Sequence, residues 1–378
     1  MMKRIGIITS YLDFNKNYGG VLQAYALSRQ ILLLGYEPYI MPYIYEHIPM
    51  VEKVDILHQL YRNLKNVINP YRKEVKLQKQ MFDVMLNFVN SRLPMYSTSR
   101  MSISDLKDIS DSFYAFICGS DQVWSTKLQK NHCDPGMFLH FVKKPIKKIA
   151  YAPSLGSTIT VSNETADEIK NSLIDFDAIS VRERKGQCLL ERITGNTYPI
   201  VLDPTLLLSR NEWDDIATIP KQLPEKYILV YRFGNIKSNF DMMLKIQKYL
   251  GIPIIELPSS LISLKDGLCK RYDIDPGNFI GLIKKATLVC TDSFHATVFS
   301  IINKTPFVCF CRQEPDLESN MNGRIVDLLE MANLSDRLIY PNGYLNYDNL
   351  LNVKFEVAHK AIDNLRVSSL EYLKKALD

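Results

Sequence analysis

Short apolar runs rich in β-branched residues alternate along the 378-residue chain with longer stretches in which apolar positions recur at helical spacing. That alternation predicts parallel sheets built from strand–helix–strand units. In the first half, RIGIITS leads through a polar loop into NYGGVLQAYALSRQILLLGYE. The apolar positions Leu22, Ala26, Leu32 and Leu33 there predict a helix that stops at Gly35. EPYIMPY, FYAFICGS (113–120), KKIAYAPS (147–154) and DAISVRE read as further strands, NETADEIKNSLIDF as a helix, and YPIVLDPTLLLS (198–209) ends the half. The second half restarts with strand YILVYRFG (227–234), a helix over 237–251, strand IPIIELP, helix PGNFIGLIKKA and strand TLVCTD. A helix containing His295, strand TPFVCFC and a last amphipathic helix over 355–377 complete it. The fold class expected is α/β, with two Rossmann-like domains of parallel sheet facing across a cleft. The first spans 1–209 and carries a lysine-rich amphipathic insertion at about 51–93, helical on both sides of Asn69-Pro70. The second spans 210–378. Pro204, Pro220 and Pro224 cluster where they meet.

Composition narrows the class. The chain is 46% hydrophobic and 23% charged, ordinary globular values, and its length suits two domains. A net charge of +5 favours anionic small molecules or an anionic membrane surface and falls short of a nucleic-acid signature, so no nucleic-acid partner is expected. MMKRIGIITS runs straight into a strand pattern without a signal-peptide core, and no run of about 18 apolar residues exists. Seven scattered cysteines fit reduced, buried thiols. These features predict a cytoplasmic protein. The six histidines form no HxxxH or HxH pair, and the DID at 273–275 precedes Pro276, which suits a helix cap; no metal is assigned.

Candidate chemistry gathers at strand ends. In TDSFHATVFS, Asp292 as helix cap would place Ser293, Phe294 and His295 in a first turn where free N–H groups and the helix dipole favour anions. Phe294, Val298, Ile301 and Ile302 would face the core. His295 lies off that stripe and can act as acid, base or cationic clamp, or bond a neighbouring loop. Gly19 and Gly20 of NYGG either let backbone approach a ligand or form a tight loop. After FYAFIC come Gly119, Ser120, Asp121 and Gln122: Asp121 suits orienting or deprotonating a sugar hydroxyl, Gln122 donating to one, and Trp124 stacking on a sugar face. A turn capped by Asp121 is the plainer alternative. Arg182 leaves another strand end and suits a carboxylate or phosphate, or a solvated charge cluster with Glu183 and Arg184. Ser154 and Gly156 of APSLGS, with Tyr231 and Arg232 of VYRFGN, follow the same placement.

NYGGVLQAYAL, CGSDQVW, YAPSLGS, ISVRERKG, LDPTLLL with the following Trp213, DPGNFIGLIKKA and TDSFHATVFSIINKTPF occur in this order. In that combination the chain resembles the polysaccharide pyruvyl transferase family. The resemblance implies a GT-B-like pair of domains and transfer of a pyruvyl group from phosphoenolpyruvate, a substrate rather than a cofactor, to two hydroxyls of one sugar. The product is a cyclic ketal on a surface or exopolysaccharide or its lipid-linked precursor. It makes His295 the active-site histidine and Arg182 the arginine for the donor's anionic groups; for that chemistry Asp121 suits a hydroxyl-orienting base. Many members carry Arg-Leu-His where this chain has Ser293-Phe294-His295, so the donor would be held by Arg182, Arg232 or Arg324 and helix N-termini. A nucleotide-sugar glycosyltransferase and a non-catalytic sugar-phosphate-binding protein are the alternatives. The 51–93 insertion, if it rests on an anionic membrane, would make the protein peripheral at the inner face, close to a lipid-linked acceptor.

Overall fold

A computed structural model describes residues 2–12, 17–45, 72–259, 268–313 and 322–378. Residues 51–71 of the insertion, Asn69-Pro70 included, lie outside the described residues. The strands are β1 Arg4–Ile8, β2 Glu37–Ile40, β3 Ala115–Cys118, β4 Lys147–Ala150, β5 Ala178–Ile179, β6 Ile228–Tyr231, β7 Ile254–Leu257, β8 Cys269–Lys270, β9 Leu288–Thr291, β10 Phe307–Phe310 and β11 Leu338–Ile339. The helices are α1 Tyr18–Leu33, α2 Arg72–Arg92, α3 Ile103–Ile109, α4 Asn163–Leu173, α5 Arg184–Thr194, α6 Arg210–Asp214, α7 Lys237–Leu250, α8 Pro276–Lys285, α9 Phe294–Asn303, α10 Gly323–Met331 and α11 Phe355–Leu377.

Two sheets result, in orders β2-β1-β3-β4-β5 and β11-β10-β9-β6-β7-β8. Every pairing is parallel, as Ile7↔Ile117 and Val230↔Cys290 illustrate. Parallel sheets are covered on both faces, which is why β3, β9 and β10 are buried along their whole length. The chain is thus α/β with two Rossmann-like sheets. Strand order reverses between β1 and β3 in the first sheet and between β6 and β9 in the second. Such switch points open a crevice at the strands' carboxyl ends.

An aromatic joint fixes the halves together. Tyr18 of α1 stacks on Phe279 of α8 at 4.7 Å and meets Tyr231 edge-on at 5.6 Å, while its hydroxyl donates to Ile274 O at 3.2 Å. Trp213 meets Phe299 of α9 at 4.8 Å. The last helix also bridges: Arg366 Nε donates to Leu206 O at 2.7 Å, Ser369 Oγ accepts from Leu202 N at 3.0 Å, and Tyr372 donates to Ala150 O at 3.1 Å. Grouped by sequence with the second half, α11 therefore sets its C-terminal part on the first.

Several local expectations change. Leu32 and Leu33 are 41% and 53% exposed, because the core-facing row of α1 runs through Val21, Leu22, Ala24, Leu27 and Ile31 instead. In the insertion, α2 turns Met81, Met85, Phe88 and Val89 into the core, so its apolar face is already covered. Five cysteines are buried, but Cys188 and Cys269 are exposed. Asp275 caps α8, and Asp273 is held by Arg271 at 2.7 Å.

Candidate active site

A cavity of about 290 Å³ opens where the carboxyl ends of the two sheets meet. The first half contributes Ser10 and Asn17 after β1, Asp121, Gln122, Ser125, Lys127 and Gln129 after β3, and Ser157. The second contributes Phe233 after β6, Ser293, Phe294 and His295 at the start of α9, Arg312 after β10 and Arg324 of α10. Among the charged residues lining it, Lys127, Arg312 and Arg324 are permanent cations and Asp121 is a carboxylate. One wall is thus cationic and aromatic, the other dominated by hydroxyls and amides.

The opening motif folds one residue later than its sequence suggests. Ser293 is the N-cap of α9, accepting from Ala296 N, and Asp292 is not. Asp292 accepts instead from the amides of Phe233 at 2.8 Å and Gly234 at 2.7 Å and faces Arg312 at 3.6 Å, so it joins two strand ends and orients that arginine. Phe294 is buried in the core with Val298, Ile301 and Ile302, as the helical stripe predicts, and its ring also edges the cavity and packs on the Arg182 guanidinium at 4.8 Å.

His295 is 4% exposed and points across the interface. Its Nε2 lies 3.6 Å from Asp203 Oδ2, an ion-pair separation beyond hydrogen-bond reach, and has no hydrogen-bond partner. Its other edge rests on Gly19: a methyl group there would stand 1.9 Å from Nδ1. The Gly-Gly signal is therefore real, but what approaches the backbone at Gly19 is an imidazole. Gly20 sits beside Asp121, its added methyl 3.9 Å from Oδ2, and does not line the cavity.

Arg182 is corrected from donor holder to buried ion pair. It does not line the cavity, and Asp203 at 2.6 Å, Asp121 at 3.4 Å and Glu183 at 3.6 Å surround it. Burial opposes its charge, yet these carboxylates more than offset that and push its pKa up. Arg324 has the opposite environment. It is 8% exposed, its Nε has no hydrogen-bond partner, and Asp121 is 3.7 Å away. Burial first, then the charge of Arg182 and that of Arg312, bring it down to about 10 against the pull of Asp121 and Glu183. Burial raises the Asp203 carboxyl, but the charges of His295 and Arg182 reverse this and hold it well below the usual carboxylate range. Burial is also the main reason that Glu183 is raised.

Asp121 and Gln122 line the cavity as their motif suggests, and Asp121 adopts a left-handed φ of 67°. Gly156, at φ 65°, leaves room for Gln122: a methyl group would meet its Oε1 at 2.6 Å. Ser120 and Ser154 are fully buried behind the wall; Ser120 donates to Asp203 at 3.0 Å, and Ser154 accepts from Gly156 N at 3.0 Å. Arg232 turns away to Glu256 at 2.9 Å. Trp124 is a core residue stacked on Phe138 at 5.0 Å with its N–H on Met137 O, so it reaches no sugar. Sequence reasoning missed Arg312 and Asp203. Arg312 follows the apolar strand in FVCFCR and obeys the strand-end rule; Asp203 precedes Pro204 and looks like an ordinary turn cap.

Solved structures share this architecture. A proposed UDP-N-acetylglucosamine 2-epimerase from Listeria monocytogenes aligns with TM-score 0.50 and 10% identity, over 99% of this chain and 91% of that one. The UDP-GlcNAc 2-epimerase of Methanocaldococcus jannaschii gives TM-score 0.50 and 11% identity, over 97% and 99%. S. aureus MnaA with UDP gives 0.50 and 12%, over 95% and 91%. At such identity the likeness establishes the GT-B-like fold alone. No curated protein matches the chain. The family model for polysaccharide pyruvyl transferases matches residues 17–311, from the cap of α1 through β10, which includes Asp121, Gln122 and His295 of the cavity and leaves Ser10, Arg312 and Arg324 outside: the chain belongs to the polysaccharide pyruvyl transferase family.

Proposed function

We propose that this protein transfers the pyruvyl group of phosphoenolpyruvate to two hydroxyls of one sugar in a polysaccharide or its lipid-linked precursor, forming a cyclic ketal and releasing phosphate. The family makes it a transferase of polysaccharide modification. The observation that carries the donor assignment is Arg324, a buried guanidinium short of counter-charge, facing the same small cavity as Arg312 and His295. A phosphate and a carboxylate on a compact donor would neutralise that wall. The volume also suits a compact donor, since it lies just below the roughly 300–1,000 Å³ usual for ligand sites.

In this reading His295 protonates the donor's methylene carbon, leaving an electron-poor C2. One sugar hydroxyl adds to C2, the C2–O bond to phosphate breaks with the electrons leaving on phosphate, and the second hydroxyl closes the ring. The two hydroxyl protons pass to Asp121 and to the departing phosphate. Arg312 and Arg324 hold the anionic groups and stabilise the charge on phosphate as it leaves. Gln122, Ser125 and Ser157 on the opposite wall orient the acceptor. Purified protein offered phosphoenolpyruvate or a UDP-sugar, with a saccharide acceptor, tests this: phosphate and a ketal product are expected with the first donor. UDP release with the second and no phosphate from the first would reject the proposal.

A further inference from the structure

Asp203 is 1% exposed and belongs to the first half, yet it is the carboxylate that reaches His295 in the second. Its Oδ1 accepts from the Thr205 amide at 3.0 Å and the Thr205 hydroxyl at 2.7 Å. Its Oδ2 accepts from Arg182 Nη1 at 2.6 Å and Ser120 Oγ at 3.0 Å. Four donors fix the carboxylate before any contact with the imidazole is considered. On the ring's other side, Gly19 of the same half leaves no room for retreat. Both walls that define the position of His295 therefore come from across the interface.

We propose that Asp203 is the positioning residue of the active site: it holds the His295 imidazole across the interface and supplies the counter-charge that keeps it a proton donor. The proton donor is then assembled only where the two halves meet. This rests on reading His295 as the acid in pyruvyl transfer. The charged groups around the ring are Asp203 with Arg182 behind it, Asp121, Arg324 of α10 and Arg312 beyond β10, while α1 presents uncharged Asn17 and Gly19. The cations work against a charged imidazole. Asp203, at ion-pair distance, works for it.

Side-chain NMR titration of the ligand-free protein, with His295 assigned through His295→Gln, needs no substrate. Asp203→Asn keeps the side chain's shape and removes its charge, and the His295 midpoint is expected to move to lower pH. Gly19→Ala displaces the ring while sparing Asp203 and its four donors; it should move the midpoint the same way, and it stands in if the Asn variant does not fold. With phosphoenolpyruvate, both variants should lower kcat about 100-fold with KM changed less than about threefold, and bring the alkaline fall in activity to lower pH. A midpoint unchanged in both variants overturns the proposal. Shifted midpoints in a protein that never turns over phosphoenolpyruvate leave the pair standing and remove only the pyruvyl reading.

Discussion

Arg324 carries a charge that the ligand-free fold stabilises poorly, since a guanidinium that would ordinarily ionise above 12 is held down to about 10. A cation with a lowered pKa costs stability throughout the pH range below that value. Arg324→Met is therefore expected to stabilise the ligand-free protein by about 1–3 kcal/mol, read as a higher Tm, and to abolish the rise in Tm that phosphoenolpyruvate gives wild type. A lower Tm with the ligand effect intact would contradict this. Asp203 has the opposite sign. Its carboxyl is held below the usual range, so its contribution is present above a pH of about 3.9 and is lost as pH falls further. Acid unfolding of Asp203→Asn should accordingly be less steep below that pH. Single residues were legible from sequence in kind but not in partner. Asp121, Gln122, Ser293 and His295 of the quoted motifs line the cavity, as does Arg324, which no motif marks. Arg182 occupies the right strand end and is consumed by three carboxylates, because nothing in a linear chain says that Asp203 lies 2.6 Å from it.

Elements were read best where hydrophobic period and capping agreed. The strands β1, β3, β6, β9 and β10 and the helices α7, α8 and α11 fall within a few residues of the runs that predict them. The two-residue strands β8 and β11 are too short for a period to register, whereas β5, equally short, falls within the apolar run DAISVRE that predicts it. Among helices, α9 explains its own ambiguity: all ten residues are buried, so no polar face marks which way His295 points. Tertiary packing also decided Trp124, which looked like a ligand platform and is a core ring. The final helix shows what packing contributes. Leu373 is wholly buried where α11 reaches the first half, and Leu373→Ala is expected to cost about 2–5 kcal/mol by denaturant unfolding. A loss within about 0.5 kcal/mol would mean that α11 is not anchored there.

At the scale of the molecule, two parallel sheets turn their switch points toward each other, and the cavity lies where both crevices coincide. Alternating strands and helices made that architecture legible, since each sheet is local in sequence: the first uses residues 4–179, the second 228–339. The site was less legible because it exists only between the sheets. His295 rests on Gly19, Arg324 faces Asp121 and Asp203 faces His295, all pairs separated by dozens to hundreds of positions. The central claim is that this junction grips the anionic groups of a compact donor. Calorimetric titration of phosphoenolpyruvate into wild type and Arg324→Met tests it most directly. Saturable binding to wild type, lost or weakened at least about tenfold in the variant, is the expected result. Equal affinity in both proteins, or binding of a UDP-sugar with none of phosphoenolpyruvate, would contradict it.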